Sequence, residues 1–406
     1  MTALEDFRRI AASHDRCFWL DGGGSMPWSG RRSIIGWLAP DDLSLTYDAD
    51  RREVVEQPSG RVVGDDVFAV LQALQDGDPD THWVGFFGYA ARPDLPARTM
   101  PGVPDAVWMR TRSLQVTDES DRPLPASTAH VETTPTPDWY SQAFAAVQEQ
   151  LHAGNSYEVN LTYRTVEHSD ADPVDVYGRM RSTNPAPYSG VLRHGGTWLL
   201  SSSPERFATI DRHRRVETRP IKGTTPRGAT PEEDEELRRR LSTEPKFRAE
   251  NLMITDLLRN DLAMVCDPGT VEVPHLMEVE SYPSVHQLVS TVTGRLRTDV
   301  GTVEALRAMF PAGSMTGAPK LRTMQVIDAV ESDARGVYAG AFGWISGDGR
   351  ADLGVVIRSL VRSGGGRWLL GTGGGITVRS DVDEEWAETC WKAARLRAAV
   401  APGGSQ

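Results

Sequence analysis

From Trp139 to Val400, helical and extended segments follow one another with neither an internal repeat nor a strict strand-helix-strand alternation. That order constrains the fold more than any single motif. Parallel strands need long crossovers, usually helical, whereas antiparallel strands join through short turns. Segments such as YSGVLRHGGTWLLSSSPERF, with apolar stretches a few turn residues apart, therefore predict antiparallel pairs. The class expected is α+β with mostly antiparallel sheet.

Three regions follow from the pattern. Residues 1–116 alternate short apolar segments (CFWL, SIIGWL, HWVGFFGYAA) with Gly, Pro and Asp turns, and read as strand-rich with one or two helices. Residues 117–138, TDESDRPLPASTAHVETTPTPD, read as a Pro, Thr and acidic loop or linker. Residues 139–402 hold the motifs that carry chemistry, and the strand-rich region is expected to pack with them as one body. Within the third region, KFRAENLMITDLLRNDLAMVC is expected to be a helix with an apolar face of Leu252, Ile254, Leu257, Leu258 and Leu262. EEDEELRRRL, with opposite charges three and four residues apart, is expected to be a solvated helix.

Composition narrows the function classes. A formal net charge of -12 argues against a nucleic-acid surface, which would carry a basic stripe. It does not exclude an anionic ligand, which needs only local cations, glycine amides or a metal. No apolar run reaches the length of a membrane span, and the mixed charges of MTALEDFRRIAASHDR do not fit a secretory signal, so a soluble, cytoplasmic protein is expected. Cys17, Cys266 and Cys390 lie far apart with no C-x-x-C pair, and are expected to be reduced and structural.

Several constellations have both an ordinary and a functional reading. Glu385, Glu388 and Lys392 stand at i, i+3 and i+7 of the last predicted helix and share one face, either as a surface ion-pair stripe or as part of a site. Glu250 sits in another helix. Two such glutamates from separate helices would suit magnesium, which takes one or two protein carboxylates and keeps waters. GTGGG (Gly371 to Gly375) follows an apolar strand, and PAGSMTGAPK (Pro311 to Lys320) precedes a helix; each is a tight turn or a place where amides approach a carboxylate. Lys222, in RPIKGTTPRG, is either a solvated turn lysine or a nucleophile with a lowered pKa.

Taken together, SYEVNL, SSSPERF, RPIKGT, AENLMITDLLRNDL, SVHQLVS, FPAGSMTGAPK, YAGAFG, LGVVIRSL, GTGGG and AETCWKA resemble, in order and spacing, the chorismate-utilising enzymes. That family comprises anthranilate synthase component I, aminodeoxychorismate synthase component I, isochorismate synthase and salicylate synthase. The resemblance is strong from about Trp139 to Ala399. It implies the anthranilate synthase component I-like fold, with Mg2+ held by Glu250 and Glu388 and with Glu385 close by. It further implies substrate-binding roles for Arg358, Tyr338, Lys392, Thr224, His286 and the amides of Gly373, Gly374 and Gly375. Glu205 matches the family's general acid or base near the departing hydroxyl.

Within the family the reaction is set by few positions. The PIKGT segment around Lys222 resembles that of the aminodeoxychorismate synthases, whereas anthranilate synthases carry alanine before the GT. A lysine there implies attack on ring carbon 2 as the 4-hydroxyl leaves, then displacement by ammonia at carbon 4. At Glu158 isochorismate and salicylate synthases have a lysine that activates water, many amine-adding members have glutamine, and fused aminodeoxychorismate synthases include glutamate. The expected product is 4-amino-4-deoxychorismate, destined for 4-aminobenzoate and folate or a specialised metabolite. The alternatives are anthranilate synthase chemistry, isochorismate or salicylate formation, and a non-catalytic chorismate-binding homologue. No G-x-C-x-G elbow surrounds any cysteine, so ammonia is expected from a separate glutamine amidotransferase subunit.

Overall fold

The computed structural model describes residues 2–22, 32–111, 114–118, 134–282 and 285–401. In chain order the first elements are α1 (Ala3–Ser13), β1 (Arg16–Asp21), β2 (Arg32–Trp37), β3 (Ser44–Asp48), β4 (Glu53–Gln57), β5 (Arg61–Gly64), α2 (Val67–Ala73), β6 (His82–Phe87), β7 (Ala106–Thr111) and β8 (Leu114–Asp118). Next come α3 (Asp138–His152), β9 (Glu158–His168), α4 (Pro173–Thr183), β10 (Tyr188–His194), β11 (Thr197–Ser203), β12 (Arg206–Ile210), β13 (Arg215–Arg219), β14 (Ile221–Pro226), α5 (Pro231–Thr243) and α6 (Pro245–Ala263). The last are β15 (Glu272–Ser281), β16 (Val285–Arg295), α7 (Thr302–Met309), β17 (Gly317–Ala318), α8 (Lys320–Val330), β18 (Ala341–Ser346), β19 (Ala351–Val355), β20 (Ser359–Ser363), β21 (Arg367–Ile376) and α9 (Val382–Val400). Of the expected linker, residues 119–133 lie outside the described residues.

The strands form two antiparallel sheets. One has the order β17-β9-β21-β20-β11-β10-β1-β2-β8; the other runs β14-β16-β13-β12-β19-β18-β6-β7-β3-β4-β5, with β15 also paired to β16. Strands from residues 1–116 and from 139–402 enter both sheets. The α+β class with antiparallel sheet is thus the observed one, and among the described residues no helix is long and apolar enough to cross a membrane.

Burial on both faces explains the unbroken apolar runs. In β1, Cys17 and Trp19 pack with α1, α4 and α9, while Phe18 points the other way into the core between the sheets, beside Phe86 of β6 and Phe342 of β18. In β6, Val84 and Phe86 join that inter-sheet core, whereas Trp83 and Phe87 pack with α2, α6 and α7 behind the second sheet. The result is four layers: helix, sheet, sheet, helix. All three cysteines are buried, unpaired thiols.

Two local differences matter later. Helix α6 buries Asn251, Ile254, Thr255, Leu257, Leu258, Asp261 and Leu262, whereas Leu252, expected on its apolar face, is 53% exposed. Asn251 takes the core position because it is satisfied there: its amide donates to the Leu288 carbonyl at 3.1 Å and accepts from Ser290 Oγ at 2.5 Å. The segment ADLGVVIRSLV, whose apolar run reads as one continuous strand, forms two. It breaks at Arg358, whose φ of 49° no strand allows.

Candidate active site

The chain passes between the sheets at Pro204–Glu205, from β11 to β12, and at Val356–Arg358, from β19 to β20. Beside these crossings, β14, β21, α6 and α9 enclose a cavity of about 290 Å3. Its lining includes Lys222, Thr224, Glu205, Glu250, Tyr338, Arg358, Gly371, Gly373, Gly375, Glu385, Glu388 and Lys392. Residues spread over some 190 positions of sequence therefore meet at one place.

Lys222, on β14, has a side chain only 10% exposed and donates through Nζ to Glu158 Oε1 at the start of β9. The second oxygen of Glu158 is buried without a hydrogen-bond partner. Burial alone lowers the Lys222 pKa, but Glu158, with Glu250 and Glu205 behind it, more than offsets this and the pKa is raised. The depressed pKa that a nucleophilic lysine needs is therefore not a property of this pair at rest. Gly375 makes the pair possible. A Cβ there would stand 2.3 Å from Glu158 Oε1 and 3.0 Å from Lys222 Nζ.

Glu205 is 6% exposed and accepts from Ser314 Oγ at 2.5 Å. Burial pushes its carboxyl up to about 7, against the opposing effects of Ser314, Lys222 and Lys392. Near neutrality a large fraction is the neutral acid, the form that donates a proton.

Three carboxylates gather on the helical side. An N-terminal cap, Asp381 accepting from the Asp383 and Glu384 amides at 3.0 and 3.1 Å, starts α9 one turn before Glu385 and contributes about 1 kcal/mol. Buried Glu385 accepts from Ser380 Oγ at 2.8 Å and Lys246 Nζ at 3.3 Å. Glu388 pairs with Lys392 at 2.6 Å, and Lys392 also donates to the Gly373 carbonyl at 2.9 Å. Glu250, from α6, is pushed up to about 8 by burial and then by Glu158, and its Oε1 is buried without a partner. An orphaned carboxylate oxygen beside two further carboxylates in one cavity suits a hard cation. No three His, Cys, Asp or Glu side chains form a metal cage by themselves among the described residues. The donors present thus fit magnesium completed by water and ligand oxygens rather than an all-protein site.

The same cavity can also take an anion. The guanidinium of Arg358 has no hydrogen bond or ion pair among the described residues and lies 5.4 Å from the Trp391 ring centroid. Thr224 lines the same wall. The GTGGG run lies inside β21, paired with β9 on one edge, and β20 covers only Trp368 to Leu370 on the other. Because successive residues present their amides to opposite edges and the Gly373 carbonyl faces Lys392, the Gly373 and Gly375 amides face the open edge while that of Gly374 faces β9. Gly374 accordingly does not line the cavity.

Glu158 is not part of the lining either and meets the cavity only through Lys222, and His286 is not brought in at all. It is 1% exposed, with Nδ1 2.8 Å from Ser281 Oγ and Nε2 3.0 Å from Asp234. Its neighbour Gln287, opposite Thr224 across the β14–β16 pair, lines the cavity instead, as alternation along a strand requires. The PAGSMTGAPK segment enters through Ser314 and Met315 and not through the start of α8, where Lys320 is tied to Asp261 and the Met309 carbonyl at 2.7 Å each. Ser314, Asn160, Lys246 and Gln287 were not singled out from sequence. Only Ser314 had a signal, as the one hydroxyl before the TGAPK turn.

Residues 103–398 match the family model described as chorismate binding enzyme. The aminodeoxychorismate synthase of Streptomyces griseus is 50% identical over 270 residues, 66% of this chain and 37% of that protein. Aminodeoxychorismate synthase component 1 of Klebsiella aerogenes is 43% identical over 257 residues, 63% of this chain and 56% of its own length. The matched stretch is thus well under two thirds of either relative. Among solved structures, anthranilate synthase component I from Streptococcus pneumoniae superposes with a TM-score of 0.77 at 26% identity, over 92% of this chain and 93% of that one.

Proposed function

The chain belongs to the chorismate-binding enzymes, and from that premise we propose that it replaces the 4-hydroxyl of chorismate with ammonia, giving 4-amino-4-deoxychorismate, as an aminodeoxychorismate synthase subunit. The observation that carries this reading is Lys222, a primary amine lining the same cavity as the acid Glu205. Anthranilate synthase chemistry has no use for that amine, and position 158 holds a glutamate rather than the lysine of the water-adding enzymes.

In the proposed sequence, Lys222 gives a proton to Glu158 as its nitrogen forms a bond to ring carbon 2. Both ring double bonds shift, the bond from carbon 4 to oxygen breaks, and Glu205 protonates the departing hydroxyl to give water. Ammonia then bonds to carbon 4, the two double bonds shift back, and the bond from carbon 2 to nitrogen breaks, releasing the lysine as a neutral amine that recovers its proton from Glu158. Arg358, Tyr338 and the open-edge amides of Gly373 and Gly375 hold carboxylates. Glu250 and Glu388, with Glu385, would hold magnesium, which supplies positive charge that anchors the ring carboxylate and favours charge shift across the ring.

Purified protein given chorismate, magnesium and ammonium should yield a product of the mass of aminodeoxychorismate, converted to 4-aminobenzoate by an added lyase, with no pyruvate before that addition. Pyruvate together with anthranilate, or isochorismate, would overturn the reading. Two further outcomes are expected. Glutamine should not replace ammonium, because none of the three cysteines has the sequence context of an amidotransferase nucleophile; a separate amidotransferase subunit is the proposed source. Glu250→Gln and Glu388→Gln should each raise the magnesium concentration needed for chorismate binding by about tenfold or more, read by equilibrium titration.

A further inference from the structure

A buried charge network stands behind the anion side of the cavity. Arg164, Glu331 and Arg335 have side chains 5%, 3% and 2% exposed, so two guanidinium groups share one carboxylate. Glu331 is largely committed elsewhere. It accepts from the Thr162 amide and hydroxyl at 2.8 Å each and from Arg335 at 2.7 and 3.0 Å. Arg335 also holds the carbonyls of Met315 and Asn160, at 2.6 and 2.8 Å. Arg164 is left with neutral acceptors, the Tyr163 carbonyl at 3.0 Å, Thr162 Oγ1 at 2.5 Å and the Ala334 carbonyl at 3.4 Å, and a longer approach of 3.5 Å to Glu331. One positive charge is therefore buried with no carboxylate of its own.

That charge reaches the cavity through Tyr338. The guanidinium carbon of Arg164 lies 4.6 Å from the Tyr338 ring centroid, within cation-π range. Tyr338 is buried, lines the cavity, and its hydroxyl has no hydrogen-bond partner among the described residues. Gly371, the first glycine of GTGGG, makes room for the stack: a Cβ there would fall 2.2 Å from Tyr338 Cγ and 2.7 Å from Arg164 Nη1. The absent side chain serves a ring and a cation rather than a ligand.

We propose that Arg164 is a positioning residue of the anion-binding wall: its guanidinium, stacked over the Tyr338 ring, fixes the ring whose hydroxyl meets a carboxylate of the substrate and places a buried positive charge against its face. The inference rests on the reading of the cavity as a chorismate site. A group serving only to hold the fold would alter stability and leave ligand affinity alone. A positioning group alters affinity, and only while Tyr338 keeps its hydroxyl.

The test is equilibrium binding of chorismate to the full chain with magnesium, alongside steady-state rates. Arg164→Met should weaken binding and raise KM about tenfold, with kcat changed less than about threefold, the size of a desolvated cation-π contact. Arg164→Lys, which keeps the charge without the planar stack, should recover part of the loss. In a Tyr338→Phe background Arg164→Met should cost less than about twofold. If Arg164→Met fails to fold, the partial loss in Arg164→Lys carries the test, and it too should vanish in the Tyr338→Phe background. Parent-like affinity in the variants, or the full loss in the Tyr338→Phe background, overturns the inference alone. A parent protein that binds no chorismate overturns the underlying reading as well.

Discussion

Lys222→Ala should slow amination by roughly a thousandfold or more while chorismate binding changes only a few-fold. The asymmetry follows from the division of labour in the cavity. Carboxylates of the substrate are assigned to Arg358, Tyr338, the β21 amides and the metal site, whereas the one hydrogen bond of the Lys222 side chain goes to Glu158. The substitution does release Glu158, whose carboxylate then lacks its ion-pair partner in a buried place, so a moderate loss of stability should accompany the loss of rate. Lys222→Arg should not restore amination, because a guanidinium keeps its proton and has no lone pair to offer. Lys222→Ala turning over at the parent rate would mean that ammonia attacks directly.

Glu205→Gln should cost about a hundredfold to ten-thousandfold in rate, the range for removing a positioned general acid. The amide keeps an oxygen for Ser314 and keeps the shape, so folding and chorismate affinity should change little. The pH profile supplies the sign. Burial raises the Glu205 pKa to about 7, so the neutral, donating acid predominates below that value and is lost as pH rises through it. The parent kcat/KM should therefore fall above about pH 7, and the residual activity of Glu205→Gln should lack that limb. A limb that persists unchanged in the variant would assign it to another group.

Much of this was legible in the sequence where one-dimensional pattern and three-dimensional role coincide. Glu385, Glu388 and Lys392 share a helix face by spacing alone, and α9 does turn them toward one cavity. Antiparallel pairing followed from short turns between apolar runs. What failed depended on facts that spacing does not contain. His286 is chemically the more conspicuous residue, yet the register Thr224 to Gln287 turns its neighbour to the cavity, and nothing local marks which face is which. Leu252 reads as core and Asn251 as surface until the partners of Asn251 on β16 are known. Strand β15 carries exposed residues on both faces and packs at an edge, so it has no apolar alternation to announce it. The raised pKa of Lys222 required knowing that Glu158, 64 positions earlier, folds onto it.

The Glu158–Lys222 pair also shapes what the proposed nucleophile must do. A lysine whose charge is favoured by a buried carboxylate must hand over a proton before or as it attacks, and Glu158 is the acceptor already in contact. The most direct measurement is the mass of the intact protein after incubation with chorismate and magnesium but without ammonia. The account predicts a fraction heavier by chorismate less water, located by peptide mapping to the segment holding Lys222, absent in Lys222→Ala and discharged when ammonium is added. Formation of aminodeoxychorismate by a protein that never carries this adduct would contradict it.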